Sequence, residues 1–277
     1  MIRLAVRVAR GDAERVLAEL LVLSPGGLEE RDIDAGTVEY ALYGAAGEVP
    51  DIGAVRAAAG GALVEVITSA VPDDWAERWR SFHRPVEVEG AGRRLRVRPP
   101  WEAADPAADL ELVIEPGRAF GTGGHASTRL SLGLLLECPP RGALADWGCG
   151  SGVLAVAAAR LGFGPVLAVD VDWAALEATP QNAAVNGVEL DVRRADLRAE
   201  PAPWAPTVTA NLVRGLLLEV AARLERPPGR LIAAGLLREE ADEVAAAFAR
   251  HGLREVARRS EDEWSALRLE HLSLLTR

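Results

Sequence analysis

Asp146-Trp147-Gly148-Cys149-Gly150-Ser151-Gly152 sets three glycines at alternate positions between a short apolar run, Ala143–Trp147, and an alanine-rich one, Val153–Ala158. The first run reads as a buried strand, the glycines as a tight turn and the second run as a helix. Glycines at 148, 150 and 152 let the backbone turn sharply and let a ligand approach where a Cβ would block it. Such a turn belongs at the carboxyl end of the first strand of an open α/β sheet, where ligands bind. A second apolar run, Pro165–Val169, ends in Asp170, about 20 residues on, where a carboxylate accepts hydrogen bonds from ribose hydroxyls. Together these residues point to a nucleoside-containing cofactor.

Spacing narrows the choice. A dinucleotide fingerprint needs its third glycine one place later, where Val153 stands. A phosphate-cradling loop needs a Gly-Lys pair, and all 31 basic residues of this chain are arginine. Asp-x-Gly-x-Gly-x-Gly instead resembles the first motif of class I S-adenosylmethionine (AdoMet) methyltransferases.

Three further positions carry polar groups suited to such a site. Leu112–Ile114 reads as a strand that leads into Glu115-Pro116-Gly117-Arg118-Ala119-Phe120-Gly121-Thr122-Gly123-Gly124-His125, and a helix opens near Ser127. A loop so rich in glycine usually touches a ligand or moves. His125 has a bland reading beside the functional one, that of a capping or core-satisfied histidine. Asp196, just past the third strand, reads as a partner for an adenine amino group or as a turn aspartate. Asn211 reads as an orienting group at the end of the fourth strand or as the N-cap of the helix that begins near Arg214.

These side chains need a sheet to hold them. Strands are expected at 143–147, 165–170, 188–193, 206–211 and 229–235, with helices near 153–161, 173–186, 214–225 and 238–250. The last two strands, near 253–259 and 264–270, lie too close for a crossover helix and should pair antiparallel. The fold class is α/β, a Rossmann-like, mostly parallel sheet with one antiparallel strand at its end. Residues 1–70 read separately as βαββαβ, a small ferredoxin-like α+β domain, with Asp12 capping its first helix and Asp51 opening its second. Residues 71–106 form a linker in which Trp75 and Trp79 share one helical face. The cofactor-binding domain then occupies 107–277.

Composition sets the outer limits. The 277 residues are 49% hydrophobic and carry a formal charge of −10. No apolar run approaches the roughly 20 residues of a membrane span, and the N-terminus alternates like a strand rather than a signal peptide. The negative charge gives no expectation of direct nucleic-acid binding and favours a basic partner. Cys138 and Cys149 form no disulfide framework, which fits the cytoplasm. Four scattered histidines suggest no metal site.

The segments Glu115-Pro116-Gly117-x-Ala119-Phe120-Gly121-Thr122-Gly123-x-His125-x-Ser127-Thr128, Asp146-x-Gly148-Cys149-Gly150-Ser151-Gly152, Asp170-Val171-Asp172 and Ala210-Asn211-Leu212 together resemble the PrmA-type ribosomal protein methyltransferases. Glu263-Trp264 and the tryptophan linker are similar too, so the likeness covers most of the chain. It implies AdoMet-dependent methylation of amino groups (lysine side chains, the N-terminus, or both) of large-subunit ribosomal protein eleven, held by the small N-terminal domain. It also implies that Thr128, Gly148, Asp170 and Asn211 contact AdoMet. Phe120, Thr122, Asp146, Gly150, Gly152 and Asp196 complete the cofactor-binding candidates, with Asn211 as orienting group and no dedicated base. Departures are Ser127 for a usual threonine, Leu212-Val213-Arg214 where small residues are usual, and Pro180 inside an expected helix. Alternatives are an AdoMet enzyme acting on another protein or a small molecule, and a noncatalytic AdoMet-binding module associated with ribosomes.

Overall fold

A computed structural model describes residues 2–23, 28–44, 49–70, 83–117 and 123–275. Trp75, Trp79, Phe120 and Thr122 lie outside the described residues. The chain divides into two compact units, Met1–Phe82 and His83–Arg277.

In the first unit β1 (Ile2–Ala9), β2 (Glu29–Asp34), β3 (Thr37–Gly44) and β4 (Leu63–Ala70) pair antiparallel in the order β2-β3-β1-β4. With α1 (Ala13–Leu23) and α2 (Ile52–Ala59) this is the ferredoxin-like arrangement. Alternation sends Leu4, Val6, Val8, Val38, Tyr40 and Leu42 to one face, where they pack with Val16, Leu20 and Val55 of the helices. Asp51 caps α2 by accepting from the Ala54 amide at 2.9 Å. Asp12 does not cap α1. It falls in a 3₁₀ turn, Arg10–Asp12, so the chain is already helical there, whereas an N-cap needs extended backbone.

The second unit begins with β5 (Val86–Gly90), β6 (Arg93–Arg98) and β7 (Leu110–Val113), a three-stranded sheet. Val88, Leu95, Val97, Leu110 and Leu112 join the hydrophobic cluster of the main sheet, so residues 83–106 are built into the larger unit and are not a free linker. The main sheet holds β8 (Leu144–Trp147), β9 (Val166–Asp170), β10 (Asp191–Arg194), β11 (Thr207–Asn211), β12 (Arg230–Leu237), β13 (Leu253–Glu261) and β14 (Trp264–His271), ordered β10-β9-β8-β11-β12-β14-β13. Around it lie α3 (Ala126–Leu136), α4 (Val153–Leu161), α5 (Trp173–Val185), α6 (Arg214–Ala222) and α7 (Ala241–Ala249).

The antiparallel strand, expected at the end of the sheet, is β14, which lies inside it between β12 and β13. Burial explains the order. Ala266, Leu267 and Leu269 of β14 are fully buried on both faces, while Arg254, Glu255, Val256 and Arg258 of β13 are exposed and suit an edge. Pro180 sits within α5 without ending it. It is exposed, so water can satisfy the Leu176 carbonyl that lacks an amide partner.

Candidate cofactor and acceptor site

The strand register gathers the candidate residues at one edge. Trp147 pairs with Val169 on one side and with Ala210 on the other, and Arg194 pairs with Asp170. One residue further along, Asp170, Gly148 and Asn211 therefore line up across the carboxyl ends of β9, β8 and β11. Asn211 in turn pairs with Ala234 of β12.

The glycine turn is held by backbone and by Asp170. The Gly148 and Cys149 amides donate to the Val169 carbonyl at 2.8 and 3.0 Å, and the Gly150 amide donates to Asp170 Oδ2 at 2.9 Å. Asp170 Oδ1 accepts from the Asp172 amide at 3.0 Å. Each carboxylate oxygen has a second lone pair for a ligand hydroxyl. Gly148, Gly150 and Gly152 have φ of 73°, 54° and 82°, the left-handed region that penalises a side chain. A Cβ on Gly148 would collide with Leu212 Cδ2, and one on Gly152 would lie 2.7 Å from Thr179 Cγ2.

α5 fastens the turn from below. Thr179 Oγ1 donates to the Gly150 carbonyl at 3.0 Å and Asn182 Nδ2 to the Ser151 carbonyl at 2.8 Å. Asn182 Oδ1 accepts from the Glu115 amide, and Asn186 exchanges hydrogen bonds with both backbone groups of Val113. Thr179, Asn182 and Asn186 thus tie the glycine turn to β7 and the residue that follows Ile114.

Asp146 lies on the same face of the sheet as Leu144, opposite Thr209, whose hydroxyl donates to Asp146 Oδ1 at 2.6 Å. Its side chain is 1% exposed and Oδ2 has no hydrogen-bond partner. Burial pushes this carboxyl up to about 7, against the Thr209 hydrogen bond and with a further push from Asp170. Cys149 nearby is buried and its thiol is raised to about 12, chiefly by burial, so it is no nucleophile at neutral pH.

Asn211 closes β11 at the carboxyl edge of the sheet. Its Nδ2 donates to Thr128 Oγ1 at 3.3 Å, joining β11 to the first turn of α3. The capping alternative for Asn211 fails, because α6 starts at Arg214 with Val213 as its N-cap and no side-chain cap bond. Arg214 pairs with Glu243 of α7 at 2.6 Å, so its charge is committed on the protein surface rather than to an acceptor pocket. His125 takes the capping role. Nδ1 accepts from the Ser127 amide at 3.3 Å, and its ring meets Trp264 edge-on at 4.5 Å. Burial and then the Arg129 charge hold the imidazole below its usual pKa. Asp196 follows Ala195, whose amide donates to the Asp170 carbonyl, which places it beside the Asp170 end of the row. Its Oδ1 accepts from the Arg198 amide at 2.9 Å, a turn aspartate's bond that leaves Oδ2 for other contacts.

Two neighbours of the candidate residues escaped the sequence reading. Gly235, inside β12 at φ 81°, faces the Asn211 side chain: a Cβ there would lie 2.6 Å from the Leu212 carbonyl oxygen and 3.0 Å from Asn211 Oδ1. A glycine within a strand pattern was the available signal. Val171, 40% exposed between Asp170 and Asp172, offers an apolar surface at the strand end. Its type between two aspartates was the only hint.

Residues 34–271 match the family described as ribosomal protein L11 methyltransferase (PrmA). A ribosomal protein L11 methyltransferase of Symbiobacterium thermophilum is 40% identical over 201 residues, 70% of this chain and 65% of that protein. The match thus spans just under two thirds of that relative. A second, from Bordetella parapertussis, is 36% identical over 285 residues, 88% of this chain and 90% of that one. The crystal structure of ribosomal protein L11 methylase from Lactobacillus delbrueckii subsp. bulgaricus superposes with a TM-score of 0.60 at 24% identity, covering 69% of this chain and 98% of that one, and so shares the fold. With the family matched over most of its length, the chain belongs to the ribosomal protein L11 methyltransferases (PrmA).

Proposed function

We infer that the protein is an AdoMet-dependent protein N-methyltransferase that modifies amino groups, lysine side chains or an N-terminus, of ribosomal protein L11. The observation that carries this reading is the row Asp170–Gly148–Asn211 at the carboxyl ends of three adjacent strands, with Thr128 bonded to Asn211. The residues fit AdoMet. Gly148 holds the turn at a positive φ, with Leu212 packed where a Cβ would stand, and Asp170 retains lone pairs for ribose hydroxyls. Val171 offers an apolar face to the adenine and Asp196 an acceptor to its amino group. The buried, half-satisfied carboxyl of Asp146 favours a cationic ligand nearby. Phe120 and Thr122 remain candidates through the sequence motif that contains them.

Bound AdoMet supplies an electrophilic methyl group on a sulfonium sulfur. The acceptor is an amine with an ordinary pKa near 10.4, which must shed its proton before attack. A water-poor pocket disfavours the ammonium form, and water takes the proton before the site closes. Asn211 then orients the neutral amine through its side-chain carbonyl, itself fixed by the bond from Nδ2 to Thr128. Gly235 leaves room for that carbonyl. The ferredoxin-like unit holds the protein substrate. No helix among the described residues is long and apolar enough to cross a membrane. Action in the cytoplasm fits two buried free cysteines.

Incubation with labelled AdoMet and ribosomal proteins from a methylation-deficient source, followed by mass spectrometry, tests this. Label on L11 amino groups, lost in Asn211→Ala while AdoMet still binds, is the expected result. AdoMet binding without transfer to any ribosomal protein overturns it.

A further inference from the structure

β14 runs antiparallel to β12, so it starts at the edge of the main sheet where the parallel strands end. Trp264, its first residue, pairs with Leu237 of β12, two positions past Gly235. The tip of the β13–β14 hairpin, Asp262-Glu263, therefore stands at the same edge as Asp170, Gly148 and Asn211. The Glu263 carbonyl accepts from the Arg238 amide at 2.8 Å, which ties this tip to the end of β12.

From that anchored position the hairpin grips the start of α3 at two points. Trp264 meets the N-cap residue His125 edge-on, with ring centroids 4.5 Å apart. Four residues on, Arg129 donates from Nε to Glu261 Oε2 at 3.1 Å and from Nη2 to Oε1, while its Nη1 donates to the Gly124 carbonyl. A bidentate pair of this kind fixes direction as well as distance. Between the two grips, the His125 carbonyl accepts from the Thr128 and Arg129 amides at 3.1 and 3.2 Å, so these residues move as one turn. Thr128 is buried, and its hydroxyl is the group that accepts from Asn211 Nδ2.

That last bond is the sensitive point. At 3.3 Å it is long, and a slide of the turn by roughly 0.3 Å takes it beyond hydrogen-bond range. The body of α3 is fixed by the buried side chains of Leu132, Leu134 and Leu135. A first helical turn lacks the preceding carbonyls that would hold its amides, so it needs outside support. We propose that the β13–β14 hairpin positions Asn211 for methyl transfer, with Trp264 and Glu261 as positioning residues that act through His125, Arg129 and Thr128. The proposal rests on the methyltransferase reading of the site. Asp170 and the glycine turn are fastened by α5 and by each other, so the hold on the cofactor is separable from the orientation of the acceptor.

Methyl transfer to L11 with both substrates saturating, AdoMet calorimetry, and amide hydrogen exchange of the cofactor-free full-length protein test the proposal. Trp264→Ala should lower kcat roughly 10- to 100-fold, with AdoMet affinity changed by no more than about 3-fold. Trp264→Phe should restore most of kcat, because a ring again meets His125. Glu261→Ala removes a partly exposed ion pair and should cost roughly 3-fold in kcat. Its position at the surface lets it decide the matter should Trp264→Ala fail to fold. In both alanine variants, exchange at Ser127, Thr128 and Arg129 should rise roughly 5- to 10-fold, about the effect of a lost helix cap. Leu134, Leu135 and Leu136 should stay protected. Unchanged kcat in both alanine variants, an AdoMet affinity that falls as far as kcat, or unchanged exchange in the first turn of α3 overturns the proposal. A parent protein that binds AdoMet and transfers nothing to L11 brings down the methyltransferase reading instead, and the exchange measurement still decides whether the hairpin holds that turn.

Discussion

Replacing Asp146 by Asn tests how the site manages a buried charge. The carboxyl is 1% exposed, has one hydrogen bond from Thr209 and one oxygen without a partner, and its pKa is pushed up to about 7 from 3.8. The unfolded chain gives up this proton near pH 4, while the folded chain keeps it until about pH 7. The stability associated with the neutral acid is therefore fully present below pH 4 and is lost as the pH rises to about 7. Across the whole window the difference is on the order of 4 kcal/mol, at 1.36 kcal/mol per unit. Between pH 5 and pH 8 it is roughly 3 kcal/mol. Asp146→Asn keeps the volume and the Thr209 contact but cannot ionise. The variant should gain midpoint temperature over the parent at pH 8 and much less at pH 5, when both are melted without cofactor. A cation bound nearby relieves the same penalty, so AdoMet should raise the parent's midpoint more at pH 8 than the variant's. Parent and variant melting with identical pH dependence would refute the idea that burial holds Asp146 protonated well above the usual carboxylate range.

Asp170→Ala should weaken AdoMet binding by about 1.5–3 kcal/mol, since it removes a charged acceptor and also frees the Gly150 amide; calorimetry with unchanged affinity would take Asp170 out of the site. Gly235→Ala forces a Cβ against the Leu212 carbonyl and Asn211 Oδ1 and should cost roughly 100-fold in kcat, with a much smaller change in AdoMet affinity. Equal kcat in single-turnover assays would show that Asn211 does not need that space. A chain beginning at Pro72 should fold and bind AdoMet, because both clusters of the larger unit come from residues beyond 85. It should lose transfer to intact L11, because the surface that concentrates the substrate is gone. Full-rate transfer by a soluble truncation would remove the recognition role from the small unit.

The glycine turn and the strand-helix alternation were legible in the sequence, because each depends on local backbone preference or on the period of apolar residues. Gly148, Gly150 and Gly152 need positive φ, and Asp170 closes an apolar run, so chain-local rules identify them. Strand order is a different kind of information. β14 lies inside the sheet because both of its faces are apolar and both are covered, a fact of packing that a one-dimensional pattern places only next to its hairpin partner. Asn211 had a capping alternative beside its orienting reading until the start of α6 assigned the cap to Val213 and brought Thr128, 83 positions away, against its amide. His125 went the other way, since the helix start beside it makes it a cap. Arg214, a departure from the small residues usual there, is held by Glu243 across two helices. The protonation of Asp146 was invisible for the same reason. The sequence specifies which groups the chain carries, whereas solvent exclusion and the register opposite Thr209, which set the energy of its charge, exist only once distant segments pack together.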